Sequence, residues 1–186
     1  AEAALRKCKD SGESIVFYSP ALTTRTAETL TLENRLRQAL RHEEFVLHYQ
    51  PKVDAVTRRI AGVEALIRWR SPELGLVPPM RFIPLMEETG MILEAGAWAL
   101  RQSAQDHGRW RALGLPAPRV AVNVSPIQLR RKDFVATIKL AAGARPALDL
   151  EVTETLVMQD IEENIRKLRE LRELGIGIAV DDFGTG

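Results

Sequence analysis

Apolar residues recur along the chain at two spacings, one typical of helices and one typical of strands. Leu32, Leu36 and Leu40 follow a threonine at helical spacing, which predicts a helix from Thr31 to about His42. Runs of alternating or β-branched apolar residues predict strands at 45–53, 60–69, 119–124, 148–154 and 176–182. Strands separated by helical stretches favour an α/β fold with a largely parallel sheet.

The stretches between these strands predict the helices and loops. A short helix is predicted to open at Pro84, a long one to run from about Met91 to Leu113, and another to cover 126–142. Asp160, with Glu163 three residues on, resembles a capping box that begins a helix ending at Gly175. Residues 71–79 are predicted to form a long loop, and the polar, threonine-rich segment 21–30 a linker without helical periodicity.

Composition and charge exclude several classes of protein. The 186 residues include 26 Lys and Arg against 25 Asp and Glu, a balance without the basic surface that nucleic-acid binding needs. No apolar run is long enough to form a transmembrane helix within this stretch. The single cysteine, Cys8, can form neither an internal disulfide nor a thiolate metal site. We therefore expect a soluble, cytoplasmic protein.

Acidic and amide residues share one face of the predicted sheet. The period-two geometry of a strand puts them opposite the aliphatic residues, at or near the carboxyl ends of their strands. These residues are Glu64, Asn123, Glu151 and Asp181. Ligands bind at this end of parallel α/β sheets, and clustered carboxylates repel one another unless a cation lies between them. Because all four side chains are oxygen donors, Mg²⁺ or Mn²⁺ is favoured over Zn²⁺.

Two further residues extend this hypothesis toward phosphate chemistry. Asp182 follows Asp181 at the strand end and could hold a second ion, as in two-metal phosphoryl transfer. Arg68 lies on the face of Glu64 and suits a substrate phosphate. The alternatives are simpler: strand-end acids often act as caps or loop anchors, Asn123 or Ser125 could cap a helix, and Arg68 could pair with Glu64. The same arrangement on four strands favours the metal site.

These residues occur within motifs that resemble the EAL phosphodiesterases of bacterial cyclic di-GMP signalling. Glu64-Ala65-Leu66 carries the signature, and Tyr49-Gln50-Pro51-Lys52, Asn123-Val124-Ser125, Glu151-Val152-Thr153-Glu154 and Asp181-Asp182-Phe183-Gly184-Thr185-Gly186 follow in family order. Residues 1–20 are similar to the tail of a GGDEF (diguanylate cyclase-like) domain. The resemblance therefore divides the chain into that tail at 1–20, a linker at 21–30 and the N-terminal part of an EAL domain at 31–186.

The resemblance implies a fold, a reaction and a role for each site residue. The family fold is a modified TIM (β/α)₈ barrel with its first strand antiparallel, of which this chain carries about the first five strands. The reaction is hydrolysis of cyclic di-GMP to linear pGpG with two Mg²⁺ or Mn²⁺ ions. By motif, the first metal would be bound by Glu64, Asn123, Glu151 and Asp181, and the second by Asp182. Glu154 would support a catalytic loop. Arg68 would bind a substrate phosphate, and Gln50 would contact the nucleotide.

The resemblance also sets expectations for activity and partners. The family's general-base Glu and a Lys near the metals are absent from this chain, so we expect it to hydrolyse cyclic di-GMP poorly on its own and its parent protein to be active. Expected partners are cyclic di-GMP and a second copy, through an EAL-domain homodimer. No nucleic-acid polymer is expected, and any inner-membrane anchor would lie outside this chain. Alternatives are a non-catalytic cyclic di-GMP receptor, an interaction module, and a barrel metal enzyme with another phosphate substrate.

Overall fold

A computed structural model describes residues 20–143, 147–153 and 160–181, with side chains described between residues 27 and 180 of these ranges. The helices are α1 (Pro20–Arg41), α2 (Ile83–Thr89), α3 (Ile92–Ala112), α4 (Pro126–Arg130), α5 (Phe134–Ala142) and α6 (Ile161–Glu173). The strands are β1 (Phe45–Val53), β2 (Ile60–Ser71), β3 (Gly75–Val77), β4 (Arg119–Asn123), β5 (Leu148–Thr153) and β6 (Gly177–Asp181), and a single 3₁₀ turn spans Pro79–Arg81. No helix in these described ranges is both long and apolar enough to cross a membrane.

The strands form one curved, mostly parallel sheet in the order β1-β2-β4-β5-β6. Strands β2, β4, β5 and β6 are parallel, and β1 pairs antiparallel with β2. Strand β3 pairs antiparallel with the end of β2, inside the segment 71–79 that the sequence predicts to be a loop. Three residues are too few to show a period of two. The pairing depends on Gly75, whose φ of +69° favours glycine, and on the buried Val77.

Helix α1 begins eleven residues earlier than the sequence predicts. The prediction of a non-helical 21–30 is wrong, because α1 runs unbroken from Pro20 to Arg41. Proline is well suited to a first helical turn, and threonine lowers helix propensity by only a few tenths of a kcal/mol, about 0.7 at most. The buried Leu36 and Ala39 dock the C-terminal half of α1 onto the fold. Residues 1–19 lie outside the described ranges, so the interpretation of 1–20 as a GGDEF tail stays a prediction.

Two other local predictions are wrong. The single helix predicted at 126–142 is two helices, because Arg131 adopts an extended ψ of 140° and forms an ion pair with Asp133. The capping box at Asp160 does not form, since Asp160 has a left-handed φ of +50° and its side chain makes no capping hydrogen bond. Glu163 instead accepts a hydrogen bond from Lys167, one helical turn further on.

The aliphatic face of the sheet packs against α3, α5 and α6. Val120, Leu148 and Leu150 are fully buried on the strands, and Ile138 and Leu171 cover them from the helices. A second apolar cluster joins α1 and α2 to the end of β2, where the rings of Phe45 and Phe82 lie 5.7 Å apart. Covering one face of the sheet with helices leaves the opposite face to carry the polar residues.

An ion pair and several hydrogen bonds join the amino ends of β4, β5 and β6. Arg119 Nε donates to Asp149 Oδ1 at 2.8 Å, and another guanidinium nitrogen donates to the Gly175 carbonyl at 3.0 Å. The same Asp149 oxygen accepts from the Gly177 amide at 3.0 Å. These contacts fix the relative position of three strands at the end of the sheet remote from the polar residues.

Candidate active site

The register of the parallel strands places three of the predicted site residues side by side. Glu64 pairs opposite Ala121, two residues before Asn123, whereas Asn123 pairs directly opposite Glu151. Such a stagger between neighbouring strands is the geometry of strands that tilt around a barrel axis. It brings side chains with different register positions to a common level. Asn123 ends β4 as predicted, whereas Glu64 lies in the first half of β2, near the end of the short stretch in which β2 pairs with β4.

Glu64 and Asn123 are in direct contact. Asn123 Nδ2 donates a hydrogen bond of 2.8 Å to Glu64 Oε1. Asn123 does not cap the following helix, because Ser125 and Gln128 form the capping box of α4. Of the two residues that the sequence offers as the cap of α4, Ser125 is therefore the one observed. The Asn123 amide is available to the site. Its carbonyl oxygen and the second Glu64 oxygen remain as potential cation ligands.

Glu151 is almost fully buried and forms an ion pair with Lys52 of β1. Two strands lie between β1 and β5, which in a flat sheet would separate them by roughly 14 Å. The contact therefore shows that the sheet curves with its polar face inward. Lys52 has no role in the sequence analysis, although a signal was available: it follows Gln50 by two residues, on the same face of the predicted strand.

Tyr49 anchors β1 on the other side of the sheet. Its hydroxyl donates to Asp106 Oδ2 at 2.8 Å, and its ring meets Trp110 edge-on at 4.8 Å. Burial, with the hydrogen bond to the Asp106 carboxylate as the second cause, raises the pKa of Tyr49 well above its ordinary value of 10.0. The phenol therefore stays a protonated donor at neutral pH. Anchoring Tyr49 on the helix side directs its neighbours Gln50 and Lys52 to the concave side.

The two predicted substrate-binding residues, Gln50 and Arg68, lie on β1 and β2. Gln50 pairs opposite Glu64 in the β1–β2 ladder and is exposed. Arg68 is half-buried and lies four residues beyond Glu64 on β2, where its guanidinium donates a 2.9 Å hydrogen bond to the Ile67 carbonyl. That bond does not involve Glu64, so the alternative in which the two residues form an ion pair is not the arrangement observed.

The remaining predicted residues lie at the edge of the described ranges or beyond them. The backbone of Asp181 pairs opposite Thr153 at the end of β6, two residues after Ala179, which is opposite Glu151. The Asp181 side chain, Asp182 and Glu154 lie outside what the structure describes. Their predicted roles as ligands of two metal ions and as loop support therefore stay predictions.

The described donors fit a hard divalent cation. Within the side chains that the structure describes, no three acidic, histidine or cysteine residues form a group that could hold a metal ion. The described residues that could bind a metal ion are Glu64, Asn123 and Glu151. Each of them offers an oxygen atom as ligand, and Mg²⁺ and Mn²⁺ prefer oxygen ligands. The Lys52 ammonium is the cation that the structure places in contact with Glu151.

Residues 33–186 match the EAL domain family. The chain belongs to the EAL domain family. It is 39% identical over its whole length to the bifunctional diguanylate cyclase/cyclic di-GMP phosphodiesterase MucR of Pseudomonas aeruginosa, of which it covers 28%. It is 41% identical over 98% of its length to the cyclic di-GMP phosphodiesterase NbdA of the same organism, of which it covers 24%. This chain thus spans about a quarter of the length of these relatives.

Solved structures confirm the predicted fold class. The complex of the PaMucR phosphodiesterase with c-di-GMP superposes with a TM-score of 0.79 at 40% identity, over 84% of this chain and 65% of that one. The fold is therefore the TIM-barrel-like α/β fold of EAL structures. The antiparallel first strand implied by the resemblance is confirmed by the pairing of β1 with β2. Phosphodiesterases of this family are in general metal-dependent, in keeping with the oxygen donors of the site.

Proposed function

We propose that this EAL domain serves a phosphodiesterase that hydrolyses cyclic di-GMP to linear pGpG with Mg²⁺ or Mn²⁺. The observation that carries the proposal is the contact of Asn123 with Glu64, next to Glu151, on the polar face of three parallel strands. Relatives at 39% and 41% identity are named as phosphodiesterases of this dinucleotide. The solved PaMucR relative binds it.

The proposed metal ligands are Glu64, Asn123, Glu151 and Asp181 for one ion and Asp182 for a second. When bound, divalent ions polarise the phosphoryl group and neutralise the charge that develops on its oxygens. The Glu64–Asn123 hydrogen bond fixes the orientation of the Glu64 carboxylate before any ion arrives. Glu154 is proposed to support the loop that follows β5.

The proposed substrate contacts come from β1 and β2. Arg68 presents a planar donor group suited to a non-bridging phosphate oxygen, and Gln50 lies opposite Glu64, where it can meet the nucleotide. In the reaction, a water oxygen forms a bond to phosphorus and one P–O bond of the cyclic diester breaks. The released ribose hydroxyl takes up a proton, and the product is the linear pGpG.

We also propose that residues 1–20 are the tail of a GGDEF domain and 21–30 a linker to the EAL domain. Supporting this, the similarity to the bifunctional MucR covers the whole chain, including residues before the family match begins at 33. The linker is helical, as the first half of α1. A rigid helix would hold the two domains at a fixed distance from each other.

The test is hydrolysis by the protein at its full natural length. Cyclic di-GMP is incubated with the protein and Mn²⁺, and the products are separated by chromatography. We expect pGpG, and we expect it to disappear with EDTA or with Glu64→Ala. Tight binding of cyclic di-GMP without any pGpG would show a receptor instead, and the absence of both binding and turnover would contradict the proposal.

A further inference from the structure

Lys52 has three features that set it apart from a surface lysine. Its ammonium forms an ion pair with the carboxylate of Glu151, whose side chain is only 7% exposed. A bulge in the β1–β2 ladder falls between Lys52 and Val53, and bulges next to functional sites commonly re-aim a side chain. Its partner across the ladder is Gly62, so no neighbouring side chain stands between Lys52 and the concave face at that position.

The charges around Lys52 explain why an ammonium is needed there. A buried carboxylate is costly unless it has a partner of opposite charge, and Glu151 lies next to Asn123, whose amide holds a second carboxylate, Glu64. Lys52 supplies one positive charge at the point where the proposed function requires a divalent cation. An ammonium in contact with one Glu151 oxygen repels a divalent cation that binds the same carboxylate, through that oxygen or the other.

We propose that Lys52 is a built-in counter-ion of the metal site. Without metal it neutralises Glu151 and stabilises the fold, and a divalent cation that binds Glu151 must overcome the repulsion of this ammonium or displace it. Lys52 is thus a positioning residue that sets the metal affinity of the EAL domain by competing for one ligand. This inference rests on the metal site of the proposed function.

The test compares Lys52→Met with a matched control in the protein at its full natural length. Lys139→Met is the control, because Lys139 forms a comparable ion pair at 2.7 Å with Glu170 on the helix side and is exposed to a similar extent, 44% against 42%. Mn²⁺ affinity is measured by titration calorimetry without nucleotide, and thermal unfolding is followed with EDTA and with Mn²⁺.

We expect Lys52→Met to bind Mn²⁺ about tenfold more tightly than the wild type, since no ammonium repels the ion or has to be displaced. Its metal-free form should unfold at a lower temperature, and Mn²⁺ should recover most of that loss. Lys52→Arg, which keeps the charge, should retain the wild-type affinity within about threefold. Lys139→Met should match the wild type in Mn²⁺ affinity.

An unchanged or weaker Mn²⁺ affinity in Lys52→Met would overturn the inference, while pGpG production by the wild type would leave the proposed function intact. A tightening of equal size in Lys139→Met would also overturn it, because the effect would then be one of net charge. If neither the wild type nor Lys52→Met binds Mn²⁺, the inference and the proposed metal site fail together.

Discussion

Asn123 Nδ2 lies 2.8 Å from Glu64 Oε1 although the two residues are not opposite each other in the β2–β4 ladder. The bond crosses a two-residue stagger, so it depends on the tilt of the strands as well as on the residue types. It fixes one oxygen of Glu64 and leaves the other as a potential cation ligand.

Glu64→Gln should abolish metal-dependent hydrolysis with little effect on folding. The amide keeps the shape of the side chain but removes the negative charge that would attract a divalent ion. Loss of several kcal/mol of transition-state stabilisation corresponds to a fall of about 10³-fold in kcat. The rate of pGpG formation measures it, with Glu170→Gln on the helix side as control. A fall of less than about tenfold would argue against a ligand role for Glu64.

Arg68→Gln should weaken substrate binding. A guanidinium hydrogen-bonded to a phosphate is worth roughly 1.5–3 kcal/mol, so the Kd for cyclic di-GMP should rise about tenfold or more. Arg68→Lys should recover only part of the loss, because an ammonium lacks the planar pair of donors. Binding is measured by calorimetry with Arg101→Gln, on the exposed face of α3, as control. Equal affinity in the Arg68 and Arg101 variants would remove Arg68 from the substrate site.

Alanine substitution at two glycines of α3 should change the free energy of unfolding in opposite directions. A Cβ at Gly96 would lie 2.1 Å from Gln128 Nε2, so Gly96→Ala must displace the buried Gln128 from the capping box of α4. We expect a loss of about 1–3 kcal/mol in the free energy of unfolding. Gly108 has open space around it, and Gly108→Ala should gain up to about 1 kcal/mol from helix propensity. Urea denaturation of both variants tests the difference in sign.

Lys167 is a buried lysine that joins α6 to α4. Its Nζ donates to the Leu129 carbonyl at 2.9 Å and lies 3.1 Å from Glu163 Oε1. Lys167→Met keeps the aliphatic stem but leaves the Leu129 carbonyl without this donor, which should cost about 1–3 kcal/mol. Chemical denaturation measures the loss. Arg166→Met, on the exposed side of the same helix, should change stability by less than about 0.5 kcal/mol, and a similar loss in both variants would contradict the assignment.

The Glu163–Lys167 contact should make the free energy of unfolding depend on pH. The hydrogen bond from Lys167 holds the pKa of Glu163 below its ordinary value of 4.5. A group with a lowered native pKa contributes stability above the unfolded pKa and loses it as the pH falls through the native pKa. Wild type should therefore exceed Glu163→Gln in urea midpoint at about pH 6, and the gap should close toward about pH 2.5. A gap that is independent of pH, or one shared by Glu162→Gln, would contradict the prediction.

The sequence predicts the features of the fold that depend on local periodicity, namely strand bounds and buried faces. The bounds of β1 match the predicted 45–53, and the aliphatic faces of β2, β4 and β5 are buried as predicted. Family motifs add proposed roles that periodicity cannot supply, such as the nucleotide contact proposed for Gln50. Strand β3 was missed because three residues carry no period, and the start of α1 because weak propensities do not mark where a helix begins.

Lys52 was missed for a different reason. Its contact with Glu151 joins strands that are not neighbours in the sheet, so it exists only because the sheet is curved. The alternation along β1 places Lys52 on the face of Gln50, but curvature is a property of all strands together, so this local pattern cannot identify Glu151 as the partner. The same holds for the bond between Lys167 and Leu129, which depends on how α6 packs against α4.

The pairing of β4 with β5 has a consequence for how the EAL domain tolerates mutation. Val120 and Val122 lie opposite Leu148 and Leu150 in the same ladder that sets Asn123 opposite Glu151. A slip of β5 by one residue would turn Leu148 and Leu150 to the polar side and Glu151 into the core at the same time. Packing of the hydrophobic interior therefore keeps Asn123 and Glu151 aligned, and substitutions that preserve the interior also preserve the geometry of the site.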